Sequence, residues 1–238
     1  MKESYRASGT NLGVFVMRLR KASFVKRCGS MPRLFEESVA HHECYAAKTA
    51  YLFFTIYANS DFTKKKGRPT THAKDVWALR DKVVAHLLFH DDCEIEAGDI
   101  PYLAKNLNED TREANATIED AGVIVLLKGM KQGVKNAFGL AYLPDHKMIL
   151  NFGKLFDMFD FLVWAKREYD HGNRSAIVGV NNAYDELYSA INKIGTSYKT
   201  FFGSDAKFKI FAEMFTNMVE SVLAGFSNGE EKDDNDDL

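Results

Sequence analysis

Residues 75–90 read DVWALRDKVVAHLLFH. At about 100° per residue, Val76, Leu79, Val83, Val84 and Leu87 fall on one broad arc of a helix. Asp81, Lys82 and Ala85 face away from the centre of that arc. Thr70 or Thr71 supplies a capping oxygen at the start, and Asp91 and Asp92 close the pattern after His90. The stretch is an amphipathic helix with one face turned to a core.

The same period recurs on both sides. An apolar-rich helix is expected from after Pro32 to about Tyr57, stopped by Asn59, Ser60 and Asp61. A basic loop, Lys64, Lys65, Lys66, Gly67, Arg68 and Pro69, joins it to the helix above. Gly98 to Pro101 is a break, and a third helical region runs from about Ile100 or Asn108 to Asn136. Phe138 to Ile149, with Gly139, Pro144 and Asp145, reads as a turn or small hairpin. Leu155 to Tyr169 reads as a helix carrying Phe156, Phe159, Phe161 and Trp164. Helical patterns resume at about Asn182 to Ile194 and Asp205 to Ala224. Only four prolines occur, far fewer than a many-turned β protein needs. The expectation is all-α: an up-and-down helical bundle with additional C-terminal helices.

Charge divides the chain. Lys2, Arg6, Arg18, Arg20, Lys21, Lys26, Arg27 and Arg33 oppose the single acid Glu3 near the start. Glu230, Glu231, Asp233, Asp234, Asp236 and Asp237 crowd the end. Three parts follow: a basic arm over 1–30, one helical domain over 31–225 and a disordered acidic tail over 226–238. Cys28, Cys44 and Cys93 form no zinc spacing, which fits a reducing, cytoplasmic setting. No apolar run is long enough to span a membrane, so no membrane partner is expected. Walker, dinucleotide-binding and serine-elbow motifs are absent.

The chemistry concentrates on the opening helix. Arg80 projects from the middle of an apolar arc, where a guanidinium is costly unless it is paired or faces a wet site. His86 and His90 flank it. An imidazole can move a proton at neutral pH, and an arginine fork can hold two phosphate oxygens. The run Arg80-Asp81-Lys82-Val83-Val84-Ala85-His86 resembles the active motif of HEPN domains of the abortive-infection and toxin type. That resemblance implies an all-α, homodimeric, metal-independent endoribonuclease of phage defence or a toxin–antitoxin system. It would use no cofactor, and a composite site would form where two motifs meet. His86 would then be the acid and base, Arg80 the phosphate clamp and Asp81 the polar orienter. RNA would be the substrate and an antitoxin protein a further partner. Lys64, Lys65, Lys66 and Arg68 would contact RNA phosphates, with Tyr57 and Phe62 stacking on bases.

Two other readings compete. His86 and His90 share a helix face at four-residue spacing and can grip one metal ion. Asp91, Asp92 or Glu94 would add an oxygen, and His41, His42 and Glu43 on the preceding helix would complete a bundle-core site. Alternatively the chain is a non-catalytic nucleic-acid-binding or interaction protein, with Phe156 to Trp164 as a partner surface.

Overall fold

Thr70 caps the decisive helix by accepting the Ala73 N–H at 3.2 Å. In the computed structural model, which describes residues 13–28, 32–60, 64–65, 68–100, 107–144 and 146–224, that helix is Thr71–Leu87. The elements run α1 (Val39–Ala58), β1 (Lys64–Lys65), β2 (Arg68–Pro69), α2 (Thr71–Leu87), α3 (Glu94–Ala97), α4 (Glu109–Leu126), α5 (Gln132–Tyr142), α6 (Lys147–Asp170), α7 (Ile177–Ser197), α8 (Lys199–Phe202) and α9 (Asp205–Leu223). The all-α expectation is borne out, since the named strands among the described residues are a single two-residue ladder. The acidic tail, the part of the basic arm before Gly13, Phe62, Lys66 and Asp145 lie outside the described residues.

α6 is the organising element and packs on α1, α2 and α7. Its aromatic stripe is core. Phe152 and Phe156 meet Phe53 and Phe54 of α1 and Phe211 and Phe215 of α9 at 5.5–5.7 Å, mostly edge to face. The expected turn over 138–149 is shorter than the sequence suggests. Gly139 stays helical in α5, and α6 already starts at Lys147, with His146 capping it. A smaller apolar cluster gathers Phe15, Leu126, Leu127, Met130 and Phe138. Beside it, Arg18 donates to the carbonyls of Leu126 and Lys128 at 2.8 and 2.9 Å, satisfying the exposed C-terminal end of α4.

The strap leading into α1 is tied at both ends. The Val39 N–H donates to Val25, and the Arg27 N–H donates to Glu37, at 3.0 and 2.9 Å. Arg33 Nη1 donates to the Arg27 carbonyl at 2.6 Å. The buried carboxylate of Glu168 on α6 accepts the N–H groups of Leu34 and Phe35, both at 2.7 Å, and the Asn173 amide at 2.8 Å. These bonds fix Arg27 against the N-terminal end of α1, next to His42.

Candidate metal centre

Four side chains converge where α1, α6 and the turn after α2 meet. His42 is near the start of α1, Asp157 is in the middle of α6, and His90 and Asp91 follow the end of α2. His42 Nε2 and His90 Nε2 stand 3.4 Å apart. Asp157 Oδ1 lies 3.0 Å from His42 Nε2 and 3.8 Å from His90 Nε2. Asp91 Oδ2 lies 3.8 and 3.4 Å from the same two nitrogens. Donor atoms of His42, His90 and Asp157 all fall within 4.8 Å of one another.

The outer edge of each ring is held by an oxygen. His90 Nδ1 sits 3.0 Å from the Leu87 carbonyl, which only accepts, so Nδ1 carries the proton. His42 Nδ1 sits 2.7 Å from Asp160 Oδ2, a carboxyl that burial pushes up to about 7. Both Nε2 atoms point into one small space with two carboxylates. Two imidazole nitrogens 3.4 Å apart repel unless a proton or a metal ion lies between them. Two imidazole nitrogens and two carboxylate oxygens form a donor set for a divalent ion of the zinc type, and the outer hydrogen bonds orient the rings for it.

The electrostatics agree. Burial alone would lower the His90 pKa, but Asp91 and Asp157 reverse that and raise it above its ordinary value. Burial works against the Asp157 carboxylate, yet Lys154, His90 and Arg27 hold its pKa well below the usual range. The centre therefore favours positive charge. Arg27 lies beside it, with Nη1 3.3 Å from Asp91 Oδ2 and Nη2 3.9 Å from Asp157 Oδ1. Burial disfavours its charge, but Asp91 and Asp157 more than offset this and keep it a cation. Its Nη1 is buried and makes no hydrogen bond among the described residues. Lys154 Nζ binds the outer oxygen of Asp157 at 2.8 Å with about half its side chain in solvent.

A buried acidic layer backs the centre. Glu43 Oε1 accepts the Asp91 N–H at 3.2 Å, and burial with Asp92 and Asp91 nearby pushes its carboxyl up to about 10. Asp92, also buried, is pushed up to about 7 by burial and by Asp91. Neutral carboxyls here avoid stacking more negative charge behind the ligands.

The residues singled out by sequence are placed differently. Arg80 lies on the α1–α2 seam, where its Nε donates to Asp81 Oδ1 at 2.8 Å and its Nη1 to Thr55 Oγ1 at 3.1 Å. Its guanidinium stacks on Tyr51 at 4.5 Å. Asp81 is exposed. His86 is buried, donates through Nδ1 to the Ala141 carbonyl at 3.0 Å and shares no contact with Arg80 among the described residues. His90 joins the centre with His42 and Asp91, whereas His41 is exposed on the other face of α1. Arg68 is exposed on β2; β1 carries Lys64 and Lys65, whose side chains lie outside the described residues. Asp157, Arg27 and Asp160 were missed altogether.

Solved structures share this arrangement of helices. An HD-domain phosphohydrolase from Listeria innocua aligns with a TM-score of 0.57 at 16% identity, covering 88% of this chain and 98% of that one. The HD phosphohydrolase DatZ of cyanophage S-2L, bound to dA and one catalytic Zn2+ ion, aligns with a TM-score of 0.50 at 14% identity, covering 86% and 96%. At such identities the likeness is one of fold. No curated protein matches the chain significantly. A family model described as 5'-deoxynucleotidase YfbR-like matches residues 14–207.

That match overturns the HEPN resemblance, and with it the metal-independent endoribonuclease and its toxin and phage-defence setting, which was the basis for giving roles to Arg80, Asp81 and His86. An RNA substrate and an antitoxin partner lose their support for the same reason. The physical cause is that an Arg and a His six apart is a spacing many helices meet by chance. The donors that do converge are spread over three distant segments. The metal-binding alternative survives in altered form, built on His42, His90, Asp91 and Asp157. No helix among the described residues is long and apolar enough to cross a membrane. By a match spanning well over half its length, the chain belongs to the YfbR-like 5'-deoxynucleotidase family.

Proposed function

We propose that this protein is a divalent-metal-dependent phosphohydrolase that releases the 5'-phosphate of deoxynucleoside monophosphates. The observation that carries the reading is the convergence of two imidazole Nε2 atoms and two carboxylates beside the buried guanidinium of Arg27. Family membership and the solved neighbour holding dA and a catalytic Zn2+ ion support the substrate class.

His42, His90, Asp91 and Asp157 would hold the ion. When bound, a divalent cation supplies Lewis acidity toward the phosphoryl group and its attacking water. The chain's own residues do the rest. Arg27 offers a planar fork to the phosphate oxygens and stays charged throughout. It also stabilises charge that builds on those oxygens as the ester bond breaks. Lys154 extends the positive rim while keeping Asp157 ionised. A terminal phosphate monoester carries about two negative charges, as a phosphorylated side chain does. Arg27 and a divalent ion match that charge better than the single charge of an internal phosphodiester.

The test is phosphate release from a substrate panel. Deoxynucleoside 5'-monophosphates should release inorganic phosphate, 3'-monophosphates should release far less, and an RNA oligonucleotide should stay intact. Cleaved RNA, or equal turnover of the 3'- and 5'-monophosphates, contradicts the assignment.

A further inference from the structure

His86 and Gly153 lie outside the donor set, yet each stands one helical turn before a donor. His86 precedes His90 by four residues, and Gly153 precedes Asp157 by four. The two meet face to face. A Cβ on Gly153 would lie 2.5 Å from His86 Cδ2 and 3.1 Å from its Nε2. No side chain fits there while His86 keeps its place. Nor is the ring loose: Nδ1 is bonded to the Ala141 carbonyl in the last turn of α5, and the ring centroid lies 5.8 Å from that of His90. The imidazole is wedged between α5, the bare backbone of α6 and the ligand His90.

We propose that the seating of His86 on Gly153 is a positioning contact that sets the spacing between the His90–Asp91 turn and Asp157, and so tunes the affinity of the centre for its metal. The proposal rests on the metal-dependent reading above. Apolar neighbours such as Leu79, Val83, Phe152 and Phe156 also hold α2 and α6 in the same core, but aliphatic contacts tolerate small slides. A ring tethered by a hydrogen bond against a Cα does not. Pushing α6 outward there carries Asp157 away from both histidines. Changes to groups that orient metal ligands typically cost about 10- to 100-fold in affinity.

The experiment is zinc titration of the metal-stripped full chain by competition with a chromophoric chelator. It compares wild type, Gly153→Ala, His86→Ala and the double variant, with circular dichroism on each. Gly153→Ala should bind zinc at least about tenfold more weakly than wild type. His86→Ala should also bind more weakly, through loss of the wedge. In the double variant the added methyl meets no imidazole, so affinity should rise above that of Gly153→Ala to the level of His86→Ala. Wild-type affinity in Gly153→Ala overturns the proposal. So does a double variant that is unfolded or no better than Gly153→Ala. A wild-type chain that takes up no zinc instead overturns the metal reading itself, which separates the two failures.

Discussion

Asp157→Asn is expected to leave the bundle folded, empty most of the metal centre and cut phosphate release by at least about 100-fold. The substitution keeps the shape of the side chain and removes only its charge. Asp157 Oδ1 is the oxygen nearest to His42 Nε2, at 3.0 Å. Its other oxygen takes Lys154 at 2.8 Å, and Arg27 approaches at 3.9 Å. With the carboxylate gone, two cations remain beside the site without their shared counter-charge, and both repel an incoming divalent ion. Metal per chain by mass spectrometry, measured beside phosphate release, checks the result. Full activity with a full complement of metal would remove Asp157 from the centre.

Arg27→Ala is expected to do something different. Phosphate release should fall by about 100- to 1,000-fold, the usual loss when a buried donor to developing charge is removed. Metal should be retained, because His42, His90, Asp91 and Asp157 are untouched and a competing cation has gone. Arg27→Lys keeps the charge but loses the fork, so it should recover only part of the loss. Steady-state kinetics with metal content on the same samples checks this. Loss of metal in Arg27→Ala would show that the residue supports the centre rather than the phosphate.

The two variants also mark where sequence reasoning succeeded and where it stopped. Local rules were enough for some of the elements, while the third helical region expected to reach Asn136 is split into α4 and α5. The Thr70 cap and the stop at Asn59 are short-range chemistry, and α2 and α9 fall within a few residues of expectation. The turn over 138–149 misled because Gly139 is tolerated inside a helix when its neighbours pack, and Pro144 sits just ahead of the next N-terminus.

The centre was legible only in fragments. His42, His90 and Asp91 were each named as metal donors, but attention fell on the pair His86 and His90, because four-residue spacing is visible along one helix. The real partners of His90 lie 48 residues earlier on α1 and far downstream on α6, and only tertiary packing brings them together. Asp157 and Asp160 did leave a signal. They interrupt an otherwise aromatic and aliphatic stripe, three residues apart, on the side of α6 that turns inward. A charge amid apolar neighbours needs a partner or a wet site, and these two carboxylates need one more than Arg80 does. Arg80 turned out to have an ordinary reason: Asp81, Thr55 and Tyr51 absorb it. Arg27 was hidden among the other bases of the N-terminal arm, and nothing local separates it from Lys26 or Arg33.

The account stands or falls on metal-dependent dephosphorylation. Phosphate release from a deoxynucleoside 5'-monophosphate should vanish after the protein is stripped with a chelator and return when about one equivalent of divalent metal per chain is restored. Undiminished turnover by the stripped protein, with no metal left in the sample, would contradict it.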